Sequence, residues 1–224
     1  MSILSNEDLI LRVPLFASLD SVDAIQIANA VCKKRFRKGE CLIHQGTQHK
    51  QLVILLTGRA RLVMTDRQQR EVIVERVVAG EFAGELSLFD EQPHPAALIA
   101  EAQTDALLLE CGVFMDCLQR NEGVMLELFR VMARRNRRAG HKIETLALEG
   151  VFGRVADALW ELSTPNAEGL RVTQAKVSRQ DVAKMIGASR EMVSRVMKEF
   201  TSRGVIGTRD DGTVWVHDRL VPKK

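Results

Sequence analysis

No apolar run in this chain reaches the length of about 18 residues that a membrane-spanning helix needs. The first ten residues, MSILSNEDLI, hold neither the basic stretch nor the apolar core of a secretory signal, so a soluble cytoplasmic protein without membrane contact is expected. Cysteine is sparse. Cys32, Cys41, Cys111 and Cys117 form no C-x-x-C pair, and in a reducing compartment buried free thiols are expected, with a thiol sensor or a metal site as the alternative. The histidines His44, His49, His94, His141 and His217 are isolated and fall at no haem or zinc spacing, so surface or satisfied core positions are expected for them. HQGTQH around His44 and His49 does not supply the ligand set of a metal-dependent jelly-roll enzyme, and no nucleophile triad is recognisable.

What remains is 224 residues with 46% apolar side chains, enough for one large domain or two small ones. Residues 151–224 carry 13 Lys/Arg against 9 Asp/Glu, leaving 19 against 20 for residues 1–150, so a polyanion is expected to meet the C-terminal third. From about residue 31 to 110, the runs RFRKGECLIHQG, QLVILLTGRARLVMT, REVIVERVVAGEF and AALIAEAQTDALLLE are strand-length and separated by turn residues, the spacing of an all-β barrel or sandwich. LVILLTGRARLVM reads as two strands around Thr57-Gly58, and TDRQQR as a polar hairpin loop.

After Gly112 the period changes. No proline interrupts residues 122–149, and Met125, Phe129, Met132, Asn136, Ala139, Ile143 and Leu146 are spaced 4, 3, 4, 3, 4, 3. That heptad seam predicts a dimerisation helix over 122–149, with Asn136 able to set register; the alternative is a long helix packed on its own barrel. Arg134, Arg135, Arg137, Arg138 and Lys142 fall mostly off the seam, as a solvated face or as an anion site where helix meets barrel.

Beyond a helical stretch, VFGRVADALWELS, and a short strand-like one, LRVTQAKV, residues 178–204 read SRQDVAKMIGASREMVSRVMKEFTSRG. Ser178 with Asp181 is capping-box-like, Gly187 turns the chain, Ser189 caps a second helix, and Gly204 suits its C-terminal end. Val193, Val196, Met197 and Phe200 give that helix an inward face. Arg190, Glu191, Ser194 and Arg195 share the outward face, where arginine can donate twice to guanine, glutamate accept from cytosine and serine bond a base or phosphate. VIGTRDDGTVWVHD follows as a hairpin around Asp211-Gly212, the wing of a winged helix-turn-helix. A helical hairpin with merely solvated charges would not need caps, turn glycine, reading face and wing in this order.

On GASREMVSRVMKEF, FAGELSLFDE and the GRV before ADALWELS, residues 15 to 218 resemble the family of bacterial transcription regulators that includes the cAMP receptor protein and the fumarate and nitrate reductase regulator. The resemblance implies an α+β chain in three parts. Residues 1–121 would form a cyclic-nucleotide-binding-like β jelly-roll barrel, 122–149 the dimerisation helix and 150–224 the winged helix-turn-helix domain. It places Arg190, Glu191 and Arg195 at base-reading positions and Ser194 on the serine of the fumarate and nitrate regulator branch, with Ser178, Arg179 and Ser189 beside them. It implies a homodimer on a palindrome of TGTGA-like or TTGAT-like half-sites in double-stranded DNA, and RNA polymerase as a partner if the protein activates.

The resemblance also makes residues 84–97 a phosphate-binding cassette. Gly84, Glu85 and Leu86 match it, but its phosphate-binding arginine and serine fall on Pro95 and Ala96, and proline has neither a cation nor an N–H to offer. The adenine-contacting pair of the cAMP-responsive branch falls on Ala139 and Gly140, so cAMP is disfavoured. Glu85 is expected to pair with Arg135 instead. No N-terminal cysteine cluster for an iron–sulfur centre exists, since the first cysteine is Cys32. Three options stay open: another effector such as cyclic di-GMP caught by Arg134, Arg135 or Arg138, an apolar effector or gas cofactor, or none, with His94 the loop residue of most interest. The rival outside DNA binding is a ligand-binding module that regulates a partner protein.

Overall fold

Three short elements without a long periodic signal precede the first strand. Ser5 Oγ accepts the Asp8 N–H at 3.1 Å while the Asp8 carboxylate accepts the Ser5 N–H at 3.1 Å, a reciprocal box that opens α1 (Asn6–Leu11). A single 3-10 turn at Pro14–Phe16 follows, then α2 (Ser21–Ala30), whose first turn is capped by Asp20. The computed structural model describes residues 5–48, 50–166, 170–217 and 220, so the expectation for His49 lies outside the described residues. The chain divides into two units, Met1–Arg135 and Asn136–Lys224.

In the first unit eight strands form two antiparallel four-stranded sheets. β1 (Val31–Phe36), β8 (Thr104–Glu110), β3 (Gln51–Leu55) and β6 (Phe82–Ala83) make one; β2 (Cys41–Ile43), β7 (Ala97–Ala100), β4 (Arg59–Thr65) and β5 (Glu71–Val78) make the other. Together they are the walls of the expected β jelly-roll barrel. Thr57-Gly58 joins two strands, as expected, yet β3 and β4 do not pair: the turn carries the chain from one sheet to the other. TDRQQR is the β4–β5 hairpin loop, organised by the Asp66 carboxylate, which accepts the N–H groups of Gln68 and Arg70 at 2.8 and 2.9 Å.

The unbroken apolar run QLVIL has a structural cause. Its sheet is buried on both faces: Val53 and Leu55 point between the sheets with Leu98 and Ala106, whereas Leu52 and Ile54 join Leu107 and Leu109 in an outer cluster under the helices. That cluster gathers Ile10, Ile27, Phe114, Val124 and Leu128 from α1, α2, α4 (Cys111–Arg120) and α5 (Glu122–Leu148). Each fully buried Leu or Ile contributes roughly 1.5–3 kcal/mol, so this packing outweighs exposed ion pairs such as Arg35–Asp105 at 2.7 Å, which water and salt screen. The thiols are free, but the expectation of burial needs correcting: Cys117 is buried, Cys41 and Cys111 half-buried, and Cys32 exposed on β1. Burial pushes the Cys117 thiol up to about 11.

The second unit holds α6 (Val151–Glu161), α7 (Arg179–Ile186) and α8 (Arg190–Ser202) on a four-stranded sheet. The sheet order is β11 (Ile206–Thr208), β12 (Val214–Val216), β10 (Arg171–Thr173), β9 (Ser163–Pro165). Val155, Leu159, Val182, Ile186, Val193, Val196 and Phe200 are among its buried residues on the helices. Arg171 staples the end of α6 to the sheet: it stacks on the Trp160 ring at 4.1 Å and donates to Ser163 Oγ at 3.1 Å.

Candidate nucleic-acid interface and effector cassette

Local chemistry sets the two helices of the C-terminal unit. Ser178 Oγ accepts the Asp181 N–H at 3.3 Å to start α7, and Ser189 Oγ accepts the Met192 N–H at 3.2 Å to start α8. Between them Gly187 sits at φ 60° and ψ 41°, a left-handed conformation that costs a residue with a Cβ about 1 kcal/mol or more. The end of α8 is closed by the Gly204 N–H on the Thr201 carbonyl at 3.0 Å and the Val205 N–H on the Phe200 carbonyl at 3.1 Å, a Schellman pair.

With its apolar stripe buried, α8 leaves Arg190, Glu191 and Arg195 exposed and Ser194 half-buried on the remaining face. Ser178, Arg179 and Ser189 are exposed at the starts of α7 and α8. The wing turn is held by the Gly212 N–H on the Arg209 carbonyl at 2.9 Å and by the Asp211 carboxylate, which accepts from Thr213 N–H and Oγ1 at 2.8 and 2.6 Å. Those hydrogen bonds hold the Asp211 carboxyl below its ordinary range. Between wing and helices lies a cleft of about 490 Å³ whose polar lining is Lys176, Ser178, Arg179, Gln180, Arg190 and Thr208. Three cations and no carboxylate line it, the surface chemistry of a phosphate-backbone contact.

In the barrel, β6 runs into Gly84 at φ 98°, where a Cβ would stand 2.9 Å from the Gln51 carbonyl oxygen. Glu85 is 4% exposed, and its Oε1 accepts from Arg135 Nη1 at 2.6 Å, the pairing expected from sequence. Arg135 also donates to the Phe82 carbonyl at 2.5 Å and lies 3.3 Å from Glu75 Oε2. Two carboxylates thus share one cation. Leu86 is exposed on the short α3 (Leu86–Phe89), where Ser87 Oγ and His94 Nδ1 share a hydrogen bond of 2.8 Å. His94 is buried, and its backbone exchanges hydrogen bonds with Thr47 and Gly46. Pro95 is exposed and Ala96 buried.

A cyclic phosphate finds no charged side chain at the two positions where the cassette would hold it: Pro95 has no N–H, Ala96 has only its backbone N–H, and Arg135 is engaged by Glu75 and Glu85. The residues present do not fit that group. Arg135 is therefore half-buried and not on a solvated face, and its contact with Glu85 is the pairing expected from sequence. Arg134 lies outside the cassette and bonds Glu127 at 3.0 Å; Arg138 belongs to the second unit and is exposed. Among the described residues no group of three or more His, Cys, Asp or Glu side chains is placed to hold a metal ion, and no helix is long and apolar enough to cross a membrane.

On α5 the seam residues separate from the buried stripe. Val124 and Leu128 are buried in the outer cluster, whereas Met125, Phe129, Asn136, Ala139, Ile143 and Leu146 are exposed, Phe129 at 64% and Ile143 at 67%. Met132 departs from its neighbours and packs half-buried against its own unit.

The cyclic nucleotide-binding domain family matches residues 33–121, and the Crp-like helix-turn-helix domain family matches residues 153–220. The cAMP-activated global transcriptional regulator CRP of Salmonella typhimurium is 30% identical over 171 residues, covering 74% of this chain and 80% of that protein. The chain belongs to the CRP/FNR family of transcription regulators. A second CRP/FNR relative, the cAMP-activated global transcriptional regulator Vfr of Pseudomonas aeruginosa, is 29% identical over 183 residues, 78% of this chain and 84% of its own. In fold the chain is similar to the c-di-GMP-responsive global regulator CLP of Xanthomonas campestris, with a TM-score of 0.75 at 23% identity over 88% of this chain and 99% of CLP. FixK2 of Bradyrhizobium japonicum gives a TM-score of 0.74 at 19% identity over 87% of this chain and 98% of its own.

As a CRP/FNR regulator the chain is a DNA-binding transcription regulator, and its relatives are regulators rather than enzymes. The sequence reading of the CRP/FNR reading face omitted Lys176, Gln180 and Thr208, which line the same cleft. Gln180 carried a signal, since it occupies the first turn of α7 beside Arg179. Lys176 and Thr208 did not, because the wing brings them together from opposite sides of the two helices in the sequence.

Proposed function

We propose that the protein works as a homodimer that reads a palindrome of TGTGA-like or TTGAT-like half-sites in double-stranded DNA, in the cytoplasm. The observation that carries this reading is the capped, two-faced α8, with Arg190, Glu191 and Arg195 exposed at its start and a cationic cleft beside it. Arg190 and Arg195 supply bidentate donors for guanine, Glu191 an acceptor for cytosine N4, and Ser194 a bond to base or phosphate. Ser178, Arg179 and Ser189 hold the flanking backbone, and the exposed seam of α5 supplies the dimer contact. RNA polymerase is the further partner if the regulator activates.

The effector, if one is used, is not cAMP. The Glu75–Arg135–Glu85 cluster sets one cation against two carboxylates, and the loop from His94 to Ala96 carries neither the arginine nor the serine side chain that would hold a cyclic phosphate. The same charge balance disfavours capture of cyclic di-GMP at Arg135. An effector of other chemistry, or none, is the reading the cassette supports.

Arg195→Ala tests DNA reading. It should weaken operator binding by about 1–3 kcal/mol in a fluorescence anisotropy titration and relax preference at one base pair per half-site. Unchanged affinity and unchanged promoter regulation would instead favour a module that acts on a protein partner without reading DNA.

A further inference from the structure

We infer that Arg154, outside the DNA-facing surface, is a positioning residue for sequence reading. It stands in the first turn of α6 and donates from Nη1 to the carbonyl oxygen of Ile186 at 2.9 Å. Ile186 is the last residue of α7, so this carbonyl belongs to the orphan acceptors of a helix C-terminus, where a cation is also favoured by the helix dipole. One residue later Gly187 turns into its left-handed conformation, and two residues beyond that Ser189 caps α8. Arg154 therefore anchors the backbone from which α8 departs, and with it the direction in which Arg190 and Glu191 project. One other nitrogen marks the cost of this anchor: Nε is buried without a hydrogen-bond partner among the described residues.

The start of α6 is itself fixed. Its N-cap is Gly150, without a side-chain cap, and the Glu149 carboxylate lies over the first turn, so close that a Cβ on Gly153 would meet it. Gly153 leaves room for that carboxylate, and its neighbour in the GRV stretch, Arg154, ties α6 to the end of α7. A lysine at 154 keeps the cation and a donor; a methionine keeps an unbranched apolar stem and loses both.

This inference rests on the DNA reading proposed above. The test measures affinity for the duplex that the full-length wild-type protein selects from a random pool, and for a scrambled duplex of the same length, at one salt concentration. Failure of the wild type to select any consensus would overturn the DNA reading itself. Given a consensus, Arg154→Met should lower the ratio of specific to non-specific affinity about tenfold while scrambled-duplex binding and its salt slope stay unchanged, because one charge-assisted hydrogen bond of positioning is lost and no phosphate contact. Arg154→Lys should recover the ratio to within about threefold of wild type. An unchanged ratio in Arg154→Met overturns the inference, as does a parallel fall of both affinities in Arg154→Met and Arg154→Lys with loss of α-helical circular dichroism.

Discussion

Arg135 is 16% exposed at its side chain and faces Glu75 and Glu85, whereas Arg190 and Arg195 project into solvent from α8. The difference in surroundings separates a structural arginine from arginines free to meet a partner. Removing Arg135 leaves the Glu85 carboxylate buried without its cation, and a buried pair broken on one side is costlier than one removed whole. Arg135→Met should therefore destabilise the barrel by about 2–4 kcal/mol, and Arg135→Met with Glu85→Leu by less, in urea unfolding followed by circular dichroism. Equal losses in the single and double variants would show that Glu85 is not what Arg135 stabilises. From sequence, the pairing of Glu85 with Arg135 was legible because the resemblance supplied it. The contact of Arg135 with Glu75 was not, because β5 reaches α5 only through the fold.

At the scale of elements, α5 has two apolar rows one residue apart, and its own unit uses one. Val124 and Leu128 enter the outer cluster; Phe129, Ile143 and Leu146 face outward with much of their surface uncovered, as a seam waiting for a second helix would. Ile143→Glu should shift the protein from dimer to monomer in sedimentation velocity at micromolar concentration, while Lys142→Glu, one residue off the seam, should not. A wild-type monomer at that concentration would remove the seam as a dimer contact. The heptad spacing was readable because it repeats; that Met132 turns toward its own unit was not, since spacing alone does not say where the barrel ends. α1 and α2 escaped a sequence assignment for a related reason. Each is short, and the Ser5–Asp8 box and the Asp20 cap that start them are local signals without a long periodic run behind them.

Across the whole molecule, the barrel keeps the family architecture with a cassette whose residues bind one another. GELSLF was informative about fold because Gly84 and Glu85 hold backbone and core positions; QPHPAA reads as lacking the arginine and serine side chains that the resemblance assigns to phosphate. That His94 takes the buried one of the two expected positions and is tied to Ser87 was not readable, since neighbouring prolines do not say which way the ring turns. Addition of cAMP at about a hundred micromolar should leave the thermal midpoint unchanged, because stabilisation by a ligand grows only as the logarithm of one plus its concentration over Kd and vanishes where Kd is far higher. A clear upward shift at micromolar cAMP would overturn this reading of the cassette.

In the proposed function two copies of α8 read a palindrome. Selection of bound duplexes from a random pool by the wild-type protein tests it most directly. The selected duplexes should carry an inverted repeat of TGTGA-like or TTGAT-like half-sites whose centres lie about one helical turn apart, with affinity falling steeply as salt rises. Recovery of unenriched sequence, or of a single half-site without its inverted copy, would contradict it.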